Sequence, residues 1–140
     1  MPPVNCSQET FSALVEEALK SIPRIFRKKM ENVAVTVAWE SSEDVRRDLG
    51  LSRQDDLLGL YQGLPLNRRG ADYGNVLPDK ITLYQKPLLA QCDNLESLRR
   101  EIRKTLWHEV GHYFGLDDKT LRRLEREQVK TVRLSSRREK

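Results

Sequence analysis

The sequence predicts a single α/β domain of the α+β kind, and three observations carry that prediction. Two long stretches, one before residue 23 and one after residue 93, repeat apolar residues at the helical period. Between them lie short runs that are rich in β-branched residues or alternate in polarity, as strands do. At 140 residues the chain is long enough for one real core and too short for two lobes.

Phe11, Leu14, Val15, Ala18, Leu19 and Ile22 fall on one helical face, with Ser7 placed to cap the helix and Pro23 to end it. Pro23 also suits the start of a second short helix, Arg24 to Met30, whose Arg24, Arg27, Lys28 and Lys29 should line solvent. Asn32 introduces Val33-Ala-Val-Thr-Val-Ala-Trp39, in which Val33, Val35, Val37 and Trp39 share a face, and the run predicts a buried strand. A short helix is expected over 41–49, capped by Ser41 or Ser42 and stopped by Gly50. Gly59 and Gly63 interrupt the strand-like run Leu57 to Leu66. They predict a bulge or a close backbone approach, to a neighbouring helix or to a ligand.

Residues 68–78, with Gly70, Asp72, Gly74 and Asn75, read as a loop. Lys80-Ile-Thr-Leu-Tyr84 alternates as a strand should, and Pro87 marks its end or an edge position. Asp93 or Asn94 can cap the long helix that follows through Leu95, Leu98, Ile102 and Leu106. From Leu106 on, Trp107, Val110, Tyr113 and Phe114 spread apolar surface round most of the circumference, so this half must run through the interior. A last helix is expected from Lys119 to about Lys130, on Leu121, Leu124 and Val129.

Hydrophobic residues make up 38% of the chain and charged ones 33%, the balance of a globular domain with a charged surface. No run approaches membrane-spanning length, and Met1-Pro-Pro-Val-Asn-Cys-Ser-Gln8 lacks the apolar stretch of a signal peptide; a cytoplasmic protein without membrane contact is expected. Cys6 and Cys92 are far apart and outside any CxxC spacing, so reduced thiols are expected rather than a disulfide or metal ligands. Lys119 to Lys140 carries nine Lys/Arg against three Glu, a formal +6, which leaves −2 on the residues before it out of the net +4. The domain is expected to span Met1–Lys130, followed by a basic tail, Thr131–Lys140. Such a tail can touch nucleic acid or an acidic partner, although a solvated helix with a frayed end explains it as well and is preferred. The oligomeric state is not legible in the sequence.

The chemistry is concentrated in His108-Glu109-Val-Gly-His112-Tyr-Phe-Gly115-Leu-Asp117-Asp118, an HExxHxxGxxD pattern holding both histidines of the chain. Residues four apart on a helix stand one turn above each other, so the two imidazoles converge on one point and define a metal site. Glu109 is near enough to take a proton from a water at the metal but is angled away from ligation. Gly115 can leave the helix in a left-handed conformation and turn the chain back, so that Asp118 can face the metal. The bland alternative is a solvated or packed histidine pair. From average residue usage a bare HExxH arises by accident in roughly one chain of this length in several hundred, and requiring Gly115 and Asp118 lowers that by a factor on the order of a hundred.

With Leu58-Gly-Leu-Tyr-Gln-Gly63 and Leu77-Pro-Asp-Lys-Ile81 beside this motif, the chain resembles the minimal zincin-like metallopeptidases, small one-domain proteins found mostly in bacteria. The resemblance covers roughly residues 9–125. It implies a short mixed sheet of three to four strands packed by helices, zinc held by His108, His112 and Asp118, and Glu109 as general base. The motif also looks like that of metzincins, with Asp118 where their third histidine usually stands. No segment would supply a second lobe or a Met-turn, so the expected substrates are peptides or flexible segments rather than large folded proteins.

Zinc suits two nitrogens and one oxygen because they leave a fourth tetrahedral position open, as hydrolytic sites do. Asp117 is the chief rival for the third ligand position, with Glu125 and Glu127 more distant. Tyr61, Tyr73, Tyr84 or Tyr113 could stabilise an oxyanion, although packing is the preferred role for each. If the 80–84 strand is an edge, an extended peptide could pair with it beside the metal. Two other classes compete with a peptidase: a non-catalytic binding module with a basic tail, and a metal-dependent hydrolase of a non-peptide substrate. An intact Glu109 argues against the first, because a purely structural metal site has no use for a carboxylate in the base position.

Overall fold

Ser7 accepts the Thr10 amide at 3.1 Å and so caps helix α1 (Gln8–Ser21) as expected, and the chain turns extended at Ile22 just before Pro23. The computed structural model describes residues 5–30, 32–52, 54–63, 79–116, 119–120 and 122–123. After α1 come α2 (Arg24–Arg27), β1 (Val33–Ala38), α3 (Glu43–Asp48), β2 (Gly59–Gln62), β3 (Asp79–Tyr84), α4 (Gln85–Ala90) and α5 (Leu95–Tyr113). Helices and a small mixed sheet make this an α+β domain. Among the described residues the sheet has three strands in the order β1-β3-β2.

β1 runs parallel to β3, with Val35 opposite Ile81 and Val37 opposite Leu83. β2 runs antiparallel on the other side, with Gly59 opposite Leu83 and Tyr61 opposite Ile81. β3 is therefore the central strand, so of the two readings open for Pro87, strand end or edge, the edge does not hold. Ile81, Thr82, Leu83 and Tyr84 are buried because the strand is covered on both sides as well as on its inner face. Pro87 marks no edge: it sits in the first turn of α4, where its missing N–H leaves no hydrogen bond unmade. The sequence does not display that helix, since six residues are too few to show a helical period.

β1 carries a second correction. Its valines share the face of Ile81 and Leu83 but are only half-buried, because the strand lies at the border of the described sheet, and Trp39 beyond it is 55% exposed. Ser42, the second of the two serines considered, caps α3, and Gly50 takes the positive φ that follows its end.

The core forms where the apolar face of α1 meets that of α5. Phe11, Leu14, Val15 and Ala18 pack with Leu98, Ile102, Leu106 and Val110, and Ile81, Leu83, Leu88 and Leu89 close the cluster from the sheet and α4. Phe26 of α2 meets Trp107 and Phe114 edge-on, each at 5.5 Å between ring centres, so the last turn of α5 is packed from the α2 side too. Tyr113 is tied to the same region by its hydroxyl, which donates to the Lys29 carbonyl at 2.9 Å. No helix among the described residues is long and apolar enough to cross a membrane. Lys119, Thr120, Arg122 and Arg123 are helical, while the rest of the expected last helix, the 68–78 loop and the basic tail lie outside the described residues.

Gly59 shows why β2 can lie so close to α5. A Cβ there would stand 2.8 Å from Cγ2 of Thr105, 3.1 Å from Cδ2 of Leu83 and 3.3 Å from the Thr82 carbonyl oxygen. The close approach signalled by this glycine is thus to a helix. Gly59→Val should lower the unfolding free energy by about 1–3 kcal/mol through overpacking, read from a urea melt. An unchanged melt would mean that β2 can move off α5 without cost.

Candidate metal centre

Helix α5 is held at both ends. Asn94 and Ser97 form a reciprocal capping box at its start, the Ser97 amide donating to Asn94 Oδ1 at 2.8 Å. At its finish the Leu116 amide reaches back to the Gly111 carbonyl and the Gly115 amide to that of His112, while Gly115 takes φ 77°. This is the left-handed stop expected of Gly115, and it turns the chain away directly after the HExxH turn.

On the last two turns of α5, His108 and His112 face the same side with ring centres 4.7 Å apart and planes at 72°. Candidate ligand atoms of His108, Glu109 and His112 all lie within 4.8 Å of one another. Nitrogen ligands about 2.0–2.1 Å from a tetrahedral zinc would lie closer together than this, a difference that side-chain rotation covers. Two imidazoles on one rigid helical face therefore fit a shared ion. The expected third ligand, Asp118, lies outside the described residues, as do Asp117, Glu125 and Glu127.

Glu109 is buried, whereas His112 keeps 39% of its side chain exposed. A buried carboxylate needs a donor. Its Oε1 accepts the Tyr61 main-chain amide at 2.9 Å and lies 3.3 Å from His112 Nδ1. Ligation of a metal through Nε2 would leave that Nδ1 contact in place.

The Tyr61 amide is available to Glu109 because of the strand register. The Tyr84 amide donates to the Leu58 carbonyl, so Leu58, Leu60 and Gln62 turn their main-chain groups toward β3, and Gly59 and Tyr61 turn theirs outward. A cleft of about 320 Å³ lies along this outer edge, lined by Leu58, Gly59, Gln91, Glu101, Lys104, Thr105, His108 and Glu109. A larger groove, about 660 Å³, contains none of the motif residues. Several of its charged groups are engaged within the fold: Arg46 holds the Ser52 and Asp55 carbonyls, and Lys86 lies 3.2 Å from Glu40. Size alone does not make it the site.

Of the tyrosines considered for oxyanion binding, Tyr61 donates its hydroxyl to Asp79 Oδ2 at 2.8 Å and Tyr113 to the Lys29 carbonyl. Tyr84 is buried, and burial first, then the charge of Glu109, raises its pKa and keeps it a neutral phenol. Tyr73 lies outside the described residues. Cys6 and Cys92 are free thiols, both with pKa raised by burial. What the sequence could not display is the Tyr61 amide, since every residue but proline has one; the glycines flanking Tyr61 were the available signal.

A helix-borne His-Glu-His group set against a small mixed sheet is the architecture of a single-domain HExxH protein. Residues 30–128 match the family model of the zincin-like metallopeptidases, and over that span, well above half its length, the chain belongs to this family. No curated protein matches it. A solved structure, a conserved hypothetical protein from T. thermophilus, superimposes with a TM-score of 0.53 at 22% identity, covering 78% of this chain and 94% of that one. At that identity the likeness is one of fold.

Proposed function

We propose that the protein is a zinc-dependent metallopeptidase that hydrolyses peptide bonds in peptides or flexible segments. The observation that carries this reading is the placement of Glu109, buried between the histidine pair and the outer edge of β2 with one oxygen held by a main-chain amide. His108, His112 and, from the motif, Asp118 would hold the ion, a nitrogen and oxygen set that leaves one position open. When bound, zinc supplies a Lewis-acid centre that makes a water acidic and polarises a carbonyl. With Oε1 engaged by Tyr61, Glu109 takes the proton on Oε2 and delivers it to the leaving amine. Capped at both ends and buried along one side, α5 holds His108, Glu109 and His112 in fixed relation, so little reorganisation is needed.

The substrate lies extended along the side of β2 that turns away from β3, where Gly59 lines the cleft. This side replaces β3, whose two sides are already paired. Removing the metal tests the reading. Purified protein should contain close to one zinc per chain and cut members of a peptide library, lose cleavage on chelation, and regain it with zinc. Cleavage that persists in metal-free protein would refute it.

A further inference from the structure

We infer that Tyr61 and Asp79 form a clamp that positions Glu109, so that Tyr61 is a positioning residue acting through its own main chain. The inference rests on the reading of Glu109 as the general base. It gives a role to two sequence features that the metal motif leaves unexplained, the glycine-flanked Tyr61 and the aspartate before Lys80.

β2 is only four residues long, and Tyr61 stands on its outward-facing side, where no strand among the described residues holds its amide. A hydrogen bond from such an amide to a buried carboxylate is steady only if the residue is fixed by other means. Two contacts among the described residues fix Tyr61. Its hydroxyl donates to Asp79 Oδ2 at 2.8 Å, and Asp79 is 2% exposed at the start of the central strand. Its ring meets Tyr113, the neighbour of His112 on α5, edge-on at 5.9 Å.

Gly63 completes the clamp by being small. A Cβ at Gly63 would collide with Asp79 Oδ1, and would stand 2.6 Å from Asp79 Cγ and 2.9 Å from the Tyr61 hydroxyl; the backbone there also has φ 152°. Only a glycine lets the strand end pass over the carboxylate and hydroxyl. The two glycines around Tyr61 thus seat opposite sides of one device: Gly59 admits Thr105 of α5, and Gly63 admits Asp79. The result fixes which oxygen of Glu109 is engaged and which is left to move a proton.

The test uses Tyr61→Phe, which keeps the ring against Tyr113 and removes only the hydroxyl, with Asp79→Ala and the conservative Asp79→Asn, all on zinc-loaded protein. Amide hydrogen exchange is read at Tyr61 and, as internal controls, at Leu60 and Gln62, whose amides face β3. In the otherwise wild-type chain, Glu109→Ala should speed exchange at Tyr61, which establishes the bond itself. Tyr61→Phe and Asp79→Ala should each speed exchange at Tyr61 by up to about tenfold while the two controls hold, and Asp79→Asn, which keeps an oxygen acceptor, should restore part of the protection. On cleavable peptides kcat should fall by a similar factor with KM and zinc content unchanged. Unaltered Tyr61 exchange in Tyr61→Phe and Asp79→Ala would overturn the clamp, as would equal loss of protection at all three amides, which is the mark of a merely structural tie. If wild type cleaves nothing, the peptidase reading fails, while the exchange pattern still decides whether the clamp exists.

Discussion

Glu109→Gln should keep zinc and lose turnover, with kcat down by roughly 10²–10⁴-fold, the usual contribution of a general base. The substitution preserves size, and its amide oxygen can still accept the Tyr61 N–H, so the buried site keeps its hydrogen bond. What it removes is the capacity of Oε2 to take a proton. Metal content should change little, because the motif gives this residue no ligand role. Peptide-cleavage rates and metal analysis on the same samples separate the two properties. Cleavage by Glu109→Gln at the wild-type rate would rule out the mechanism; loss of zinc together with activity would make Glu109 a ligand, which its place within 4.8 Å of both imidazole donors makes a pointed test.

His112→Ala should abolish stoichiometric zinc binding and the thermal stabilisation that zinc confers. Two remaining ligands rarely hold the ion, and a protein that binds zinc only in its native state gains stability as RT ln(1 + [L]/Kd), a gain that disappears with the site. His108→Ala should do the same. The parallel matters because His112 also lies against Oε1 of Glu109, so equal losses in the two variants point to ligation rather than to a disturbed base. Zinc per chain and the zinc-induced shift in melting temperature are the measurements. Full occupancy in His112→Ala would sink the assignment. Comparing Asp118→Asn with Asp117→Asn then identifies the third ligand.

Much of the fold was legible because the signals were local. The period of Phe11 to Ile22, the capping oxygens of Ser7, Ser42 and Asn94, and the stop at Gly115 all act within one turn of the residues they organise. The HExxH pair was legible for the same reason, since two residues four apart on a helix must share a face. Strand order was not. The alternation of residues 80–84 shows a strand but says nothing about its neighbours, and reading Pro87 as an edge mark gives the wrong position for β3. Likewise the apolar face of β1 says nothing of how far that face is covered, and Trp39 stands largely in solvent.

By itself, then, the sequence determined the α+β class, the helix that bears His108, Glu109 and His112, and the carboxylate poised beside the pair. Each of these follows from covalent spacing and backbone geometry, which a linear pattern encodes in full. Only the tertiary structure decided that β3 is the central strand of the described sheet and that β2 lies beside the cleft. It alone brought the Tyr61 amide to Glu109 across 48 positions of chain, and Asp79 to Tyr61 across 18. Those pairings depend on strand register and on how closely a helix and a strand can approach, and register is set by packing among distant segments rather than by any one of them.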